Sequence, residues 1–424
     1  MEALPLRMET LFYFMITLNA GLEIFFFLNE RIYEKRNLPD IIAGLESAAP
    51  PAYDWSKELA YKKAHGQFSL LTTLLESVVL ISLFATSIIP SLFRQISVAA
   101  PSLFLEGIYF GAAATTALAV FRFPLSWYVT FVIEERFGFN RKDGRTFLKD
   151  QGISFSIGLI LSSLTLGVVN FLVSLPYGVL LIFLFLALLG ITVSFLFPLV
   201  ILPLFYRITP IEEGPLKAGI HELIAKTGLK VKGIFSADQS RRSAHANAMV
   251  AGLGSSKKVI LFDTLFEKMQ HEQILSVLAH ELAHWGKGHI LKLLTAGLVE
   301  QGSLLLIFWI LWSGNPGQVL FGVGETHLLR LLIIIYIVSS FMSIVISPLH
   351  SWLSRKYEFE ADEMAGIWTS PSAFSRALSD LATNDLSWIP PSPLQSLWFS
   401  SHPSVPERIL RLSQKMPSEG SGDI

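Results

Sequence analysis

His280-Glu281-Leu282-Ala283-His284 is the stretch whose residue types and spacing point most directly to chemistry. Leu275, Leu278 and Leu282 recur at helical spacing, which predicts a helix through the run from His271 to His289. Residues four apart share a helical face, so the two imidazoles can converge on one metal ion. Glu281 stands about 100° round from His280 and so lies beside that ion rather than on it. Zinc hydrolysis needs this set: two neutral imidazoles hold the ion, and an adjacent carboxylate takes a proton from its bound water. The pattern is HExxH, a general metalloprotease signature. Two chance histidines on an amphipathic helix would satisfy the pentapeptide alone, so the third ligand decides. Ser354-Arg355-Lys356-Tyr357-Glu358-Phe359-Glu360-Ala361-Asp362 offers a carboxylate on a second helix-like segment. Two histidines and one glutamate form a catalytic zinc set that leaves a fourth position for water.

Other candidates gather around this set. Asp362 follows Glu358 by four residues and shares its helical face, where it can accept the outer N–H of a ligating histidine and fix its tautomer. Glu360 is the rival third ligand, but on a helix it points away from that face. His402 precedes a proline in a polar loop; if the chain folds back, it can donate a hydrogen bond to the oxyanion of a tetrahedral intermediate. Arg408 can pair with the site's carboxylates. Asn247, just before a candidate hairpin, can bind substrate backbone, and an edge strand there can pair with an extended peptide. Taken alone, His402 and Arg408 read first as surface residues, and none of His402, Arg408 and Asn247 is assigned to the site by its position in the sequence.

The elements that must position these groups belong largely to a membrane. The 424 residues are 51% hydrophobic and only 16% charged, with a mean hydropathy of +0.50. That composition points to an integral membrane protein in contact with the lipid bilayer. The net charge of −1 offers no electrostatic footprint for nucleic acid, and none is expected as a partner. Absence of cysteine excludes disulfides, thiolate ligands, a cysteine nucleophile and palmitoylation. Apolar segments that approach or exceed roughly 20 residues fall at Met8–Leu28, Phe68–Ile89, Leu103–Val120, Ile153–Val173, Gly178–Ile201, Leu291–Trp312 and Leu328–Ile346. The first lacks a small-residue cleavage site and reads as a membrane helix rather than a signal peptide.

Basic residues set the orientation. Arg31, Lys35, Arg36, Lys57, Lys62 and Lys63 crowd the first loop, and Arg136, Arg141, Lys142, Arg145 and Lys149 the third, whereas the second has only Arg94. The positive-inside rule then places loops one, three and five and the C-terminus in the cytoplasm, with the metal facing that side. Glu23, Glu76, Glu106, Arg122, Asn170, Glu300 and Gln301 lie in or beside the spans. A charge in hydrocarbon is costly, so these predict paired residues and a bundle with a wet interior.

Between the fifth and sixth spans, Thr209-Pro210-Ile211-Glu212 reads as a capping box that starts a helix continued by Ile220, Leu223 and Ile224. Val231–Phe235 reads as a strand, and Asn247–Gly252 with Lys258–Phe262 as a hairpin around Gly254-Ser255-Ser256. Past the seventh span a helix over Arg355–Ala365 and a proline-rich loop from Trp388 to Leu394 precede Ser401-His402-Pro403. The tail from 413 to 424 reads as disordered.

With those motifs in view, the sequence resembles the type I CAAX prenyl proteases, membrane-embedded zinc metalloproteases of the gluzincin kind. The resemblance covers nearly the whole chain. It rests on Thr130-Phe131-Val132-Ile133-Glu134-Glu135-Arg136-Phe137-Gly138-Phe139-Asn140, on Asn247-Ala248 and Leu261-Phe262-Asp263-Thr264-Leu265, and on His280 to His284. It extends through Ser354-Arg355, Glu358 to Asp362, Ser401-His402-Pro403 and Glu407-Arg408-Ile409. The resemblance implies a mainly α polytopic membrane fold, in which about seven transmembrane helices enclose a water-filled chamber capped by a small α+β zinc metalloprotease domain. It implies one Zn2+ per chain on His280, His284 and Glu358, with Glu281 as general base. Asn247 and His402 would contact substrate and the tetrahedral intermediate.

The expected division is a five-span region over 1–205, a metalloprotease segment over 206–290, the last two spans over 291–350 and the rest of the protease domain over 351–412. The expected activity is removal of the C-terminal tripeptide from prenylated CAAX proteins. A membrane-protein quality-control protease that cleaves peptide or protein substrates without a prenyl group is the alternative. The C-terminal Gly420-Ser421-Gly422-Asp423-Ile424 carries no dilysine retrieval signal. This favours a bacterial inner membrane, with the endoplasmic reticulum as the eukaryotic counterpart.

Overall fold

The structure is a computed structural model that describes residues 8–252, 257–313 and 327–415. Its first part comprises α1 (Met8–Leu45), α2 (Trp55–Ala85), α3 (Ile88–Ala99), α4 (Leu103–Tyr128), α5 (Glu135–Phe137), α6 (Gly144–Leu172), α7 (Gly178–Leu196) and α8 (Leu202–Phe205). A π-helical turn, Val129–Glu134, joins α4 to α5, and another, Phe197–Ile201, joins α7 to α8. A small α+β part follows with β1 (Ile208–Pro210), α9 (Pro215–Thr227), β2 (Gly233–Ala237), β3 (Ala248–Ala251), β4 (Lys258–Phe262), α10 (Asp263–Lys268) and α11 (His271–Gly286). Two long helices, α12 (His289–Ser313) and α13 (His327–Trp368), come next. The chain closes on α14 (Pro371–Asn384), α15 (Pro393–Phe399) and α16 (Val405–Lys415).

Among the described residues, 7 helices are long and apolar enough to cross a membrane, in agreement with the sequence reading. Some of their polar residues are paired, although the buried Gln301 Nε2 has no hydrogen-bond partner among the described residues. Arg122 Nη2 lies 3.1 Å from Glu76 Oε1, and both side chains are solvent-accessible although their helices are otherwise apolar. An unpaired charge would be costly in hydrocarbon, and the pairing lowers that cost. Elsewhere the packing is dry. Buried Asn170 donates to Glu106 Oε2 at 3.0 Å and to the Leu103 carbonyl at 2.8 Å, which ties α6 to α4. Gly107, Gly111 and Gly167 let these two helices approach until an added Cβ would meet the other's backbone.

Three expectations shift. The second span ends at Ala85, because Ser87 takes a left-handed conformation (φ 58°) and Ile88 and Ile89 belong to the separate α3. No helix starts at Pro210: Ile208–Pro210 pairs antiparallel with Pro210 opposite Phe235, and α9 begins at Pro215, which supplies the first-turn proline instead. The segment carrying Glu358 is helical as expected, but it is not separate from the last span. It continues the seventh span without a break through Pro348. Where apolar character stops, helical backbone does not, and sequence hydropathy reports only the former.

The sheet runs β1-β2-β4-β3, with β2 and β4 parallel and the other pairs antiparallel, so β3 is an edge strand. The β3–β4 hairpin forms as expected, although its Gly254-Ser255-Ser256 turn lies outside the described residues. Ile220 and Leu223 of α9, Val259 and Leu261 of β4, Leu278 and Leu282 of α11, Phe374 and Leu378 of α14 and Leu412 of α16 make one buried core under the sheet. The proline-rich loop after α14 docks on the first two spans: Ile389 N donates to Glu58 Oε1 at 2.6 Å and Ser392 N to Glu30 Oε2 at 2.9 Å. α16 runs to Lys415, past the expected start of the tail, and 416–424 lie outside the described residues.

Candidate metal centre

α11 is built to be a rigid buried helix. Gln270 and Gln273 form a reciprocal capping box at its start, which satisfies two N-terminal amides. Ala279 and Ala283 on α11 and Ala361 and Ala365 on α13 are all fully buried, and such small side chains allow close helix approach. α13, 42 residues long, extends about 63 Å at 1.5 Å per residue, roughly twice the hydrocarbon thickness. Its first half provides the span; its second half projects out to meet α11 and carries Glu358, Glu360 and Asp362.

His280 Nε2 and His284 Nε2 lie 3.2 Å apart. Glu358 Oε2 is 3.4 Å from the first and Glu358 Oε1 3.3 Å from the second. Two nitrogens and a carboxylate that faces each of them with a different oxygen thus form a donor triangle, its ligand atoms all within 4.8 Å of one another. Bonds of about 2.0–2.1 Å in tetrahedral array separate their donors by roughly 3.3 Å, so each of these separations suits a pair of ligands on one zinc ion. Glu358 Oε2 is buried and accepts no hydrogen bond among the described residues, the position of an atom that awaits a cation. Of all His, Asp and Glu side chains described, these three form the one group close enough to hold a metal. Glu360, the rival ligand, faces His289 instead, with Oε2 3.1 Å from Nε2.

Each imidazole is oriented from behind. His280 Nδ1 lies 2.9 Å from Asp362 Oδ1. Asp362 in turn accepts a bidentate pair from Arg408, at 2.9 Å from Nε and 2.6 Å from Nη2. His284 Nδ1 lies 3.2 Å from His289 Nδ1, so its partner is a third histidine, fully buried and stacked on Tyr357 at 4.4 Å. Gly288 (φ +70°) makes this contact possible, since a left-handed residue between α11 and α12 turns His289 back over His284. Sequence reasoning missed His289. The signal was its fixed distance from HExxH, but a histidine five residues past a helical pair shares no face with it until the chain turns.

Electrostatics match the geometry. Burial opposes a charge on His280, but Asp362 and then Glu358 outweigh it and hold the ring at a pKa of about 9, so protons compete with a metal for this nitrogen at neutral pH. Burial pushes the Glu281 carboxyl above the ordinary range, and the two neighbouring imidazoles offset only part of that.

His402 is brought to the site from the far end of the chain. Arg355 Nη1 holds the carbonyls of Ser396 and Ser400, at 2.5 and 2.9 Å, which fixes the strand of chain just before the loop. His402 Nε2 then lies 3.4 Å from Glu358 Oε1, with most of its ring open to solvent. Asn247 is exposed at the start of β3, where its Oδ1 accepts from Ala248 N at 2.8 Å. β3 is anchored to α11 by Trp285, whose Nε1 donates to the Val250 carbonyl at 3.0 Å. Asn247 makes no contact with the donor triangle; it stands along the strand beside it.

Comparison with known proteins agrees with this architecture. Residues 31–207 match the family model of the CAAX prenyl protease N-terminal region, five membrane helices, and residues 210–416 match that of peptidase family M48. CAAX prenyl protease 1 of Saccharomyces cerevisiae is 30% identical over 346 residues, which cover 77% of this chain and 75% of the yeast protein. The Arabidopsis thaliana homolog is 28% identical over 391 residues, 88% of this chain and 89% of its own. The human homolog is 28% identical, with 72% of this chain and 73% of its own covered. The crystal structure of S. mikatae Ste24p superposes with a TM-score of 0.83 over 97% of this chain and 99% of that one, at 23% identity, and so shares the fold. The family models meet at the junction between the spans and the α+β part, and the yeast relative shares three quarters of its length; this chain belongs to the CAAX prenyl protease family of integral-membrane M48 metallopeptidases.

Proposed function

We propose that this metalloprotease uses zinc to remove the C-terminal tripeptide from prenylated CAAX proteins. The observation that carries the reading is the donor triangle of His280, His284 and Glu358 beside a buried carboxylate and the free edge of β3. When bound there, Zn2+ supplies a water of pKa near 7 and polarises the scissile carbonyl. Glu281 takes the proton of the attacking water and returns it to the leaving amine, a task suited to a carboxyl whose pKa burial has raised. His402 donates from Nε2 to the developing oxyanion. Asp362 and His289 hold the two ligand imidazoles in their metal-facing tautomers, and Arg408 balances the buried negative charge. Asn247 and the unpaired backbone of β3 hold an extended peptide by main-chain hydrogen bonds.

The names of the relatives support a prenylated substrate, and the basic first and third loops support an active site on the cytoplasmic side. Residues 1–205 supply the first five spans, 206–290 and 351–412 the protease domain, and 291–350 the last two spans, in a bacterial inner membrane. The test is hydrolysis by purified protein of a farnesylated CAAX peptide beside its unprenylated twin, with Glu281→Gln as blank. Cleavage of the farnesylated peptide alone supports the reading. Equal cleavage of both makes the enzyme a general membrane-protein protease, and activity of Glu281→Gln removes the assigned base.

A further inference from the structure

Where α6 begins and α8 ends, a cavity of about 760 Å3 opens at the boundary between the membrane spans and the α+β part. Five basic and two acidic side chains line it, together with Pro203, Leu204 and Phe205. The acids are already engaged. Asp143 caps α6 by accepting from Thr146 N at 2.7 Å. Asp238 accepts from Arg207 N at 2.6 Å and lies 3.7 Å from Arg241 and 3.9 Å from Arg242. Arg242 is itself buried on Asp150, with both contacts at 3.2 Å. That accounting leaves the side chains of Arg145, Lys149 and Arg207, all exposed and none within 4.0 Å of a carboxylate among the described residues, although Arg145 lies near enough to Asp143 to act on its charge. Other cations nearby behave differently: Arg141 pairs with Glu267 at 2.9 Å and Lys142 with Asp150 at 3.1 Å.

We propose that this cavity binds the phosphate of an anionic phospholipid, with Arg145, Lys149 and Arg207 around the headgroup. Arg145 and Lys149 are four residues apart on the first turns of α6, so they present two cations from one helical face. Arg207 comes from a different element, the link between α8 and β1. Pro203, Leu204 and Phe205 make part of the lining apolar, and Leu204, 43% exposed, lies just where a span leaves the membrane. A cavity lined by both cations and apolar side chains, set at a membrane boundary, suits an amphipathic anion better than a soluble one. Its volume lies within the range of about 300–1,000 Å3 typical of small-molecule sites. A soluble phosphate would satisfy the cations and leave Leu204 and Phe205 facing water.

Native mass spectrometry of the full-length protein in neutral detergent tests this, with titration of dioctanoyl phosphatidylglycerol, dioctanoyl phosphatidylcholine or inorganic phosphate. We expect one saturable phosphatidylglycerol adduct, with phosphatidylcholine and inorganic phosphate each bound at least tenfold more weakly. Each interfacial cation contributes roughly fivefold, so Arg145→Gln/Lys149→Gln/Arg207→Gln should weaken the adduct on the order of 100-fold. That variant should keep its thermal transition and peptide hydrolysis, since none of the three touches the metal centre. If it fails to fold, Arg145→Gln and Arg207→Gln singly should each cost several-fold. Phosphatidylglycerol binding unchanged by the substitutions overturns the site. Inorganic phosphate bound as tightly as phosphatidylglycerol overturns the lipid as its occupant.

Discussion

Nδ1 of His289 lies 3.2 Å from Nδ1 of His284, and Nε2 of the same ring lies 3.1 Å from Glu360 Oε2. With His284 turned to the metal through Nε2, its Nδ1–H donates to His289, whose own Nε2–H donates to Glu360. One ligand imidazole is thus oriented by a carboxylate directly and the other through an intervening ring. Partners of this kind typically govern metal affinity by about 10–100-fold. His289→Ala should therefore weaken zinc binding by that factor, measured by competition with a chromophoric chelator, whereas His289→Gln, able to accept and donate, should fall between. Zinc affinity unchanged in His289→Ala would mean that the contact does not orient the ligand.

Arg408 and Asp362 form a bidentate pair with side chains only 11% and 4% exposed. Removal of one partner from a buried pair leaves the other charge without compensation, at a cost of about 3–5 kcal/mol. Arg408→Leu should lower the thermal transition of the purified protein sharply and reduce bound zinc, because Asp362 is also the anchor of His280. Arg408→Lys keeps the charge but loses the fork and should recover only part of both. A wild-type melting temperature with full zinc content in Arg408→Leu would contradict the pairing argument.

The metal ligands were legible in the sequence because a helix fixes the geometry of residues four apart, and the seven spans because hydropathy needs no tertiary information. His402, Arg408 and Asn247 became credible only through family resemblance. Their contacts depend on how α13, Arg355 and the loop after α15 fold back, which no local pattern encodes. Glu358 was found on a helix, as expected, but that helix is the seventh span continued rather than a separate one. A helix that leaves the membrane keeps its backbone hydrogen bonds while its side chains turn polar, so the sequence reads as an end where there is none. Thr209-Pro210 misled for the opposite reason: its capping signals are local, and sheet pairing of β1 with β2 overrode them.

The glycine seam between α4 and α6 makes a steric prediction. A Cβ at Gly111 would sit 2.7 Å from Ser163 Cα, and one at Gly107 would fall on the Leu166 carbonyl. Backbone cannot yield as a side-chain tip can, so Gly111→Ala should cost at least about 1–3 kcal/mol and separate the helices. Gly158→Ala, on the same α6 but 3.7 Å from the Thr115 methyl, should be tolerated. Thermal unfolding in detergent distinguishes them, and equal melting temperatures would show that the seam has room to spare.

His245 links the two parts of the molecule and should make their union pH-dependent. Its Nδ1 lies 2.9 Å from Asp385 and its Nε2 3.5 Å from Glu134, while Phe139 stacks on the ring at 4.3 Å. Glu134 also meets His65 at 2.8 Å and the Tyr61 hydroxyl at 2.9 Å, and Lys268 lies near Asp385. The Asp385 and Glu134 hydrogen bonds, against the opposing effect of burial, raise His245 to about 9. A histidine whose pKa is raised by folding adds stability that is fully present below its ordinary value of about 6.5 and is lost as pH rises through the folded value. The melting temperature should accordingly fall between about pH 6.5 and 9, and His245→Gln should flatten that slope while it lowers stability at pH 6.5. Because Asn247 stands two residues on, the same variant should raise KM for peptide more than it lowers kcat. A slope identical in His245→Gln and wild type would assign the pH dependence to other groups.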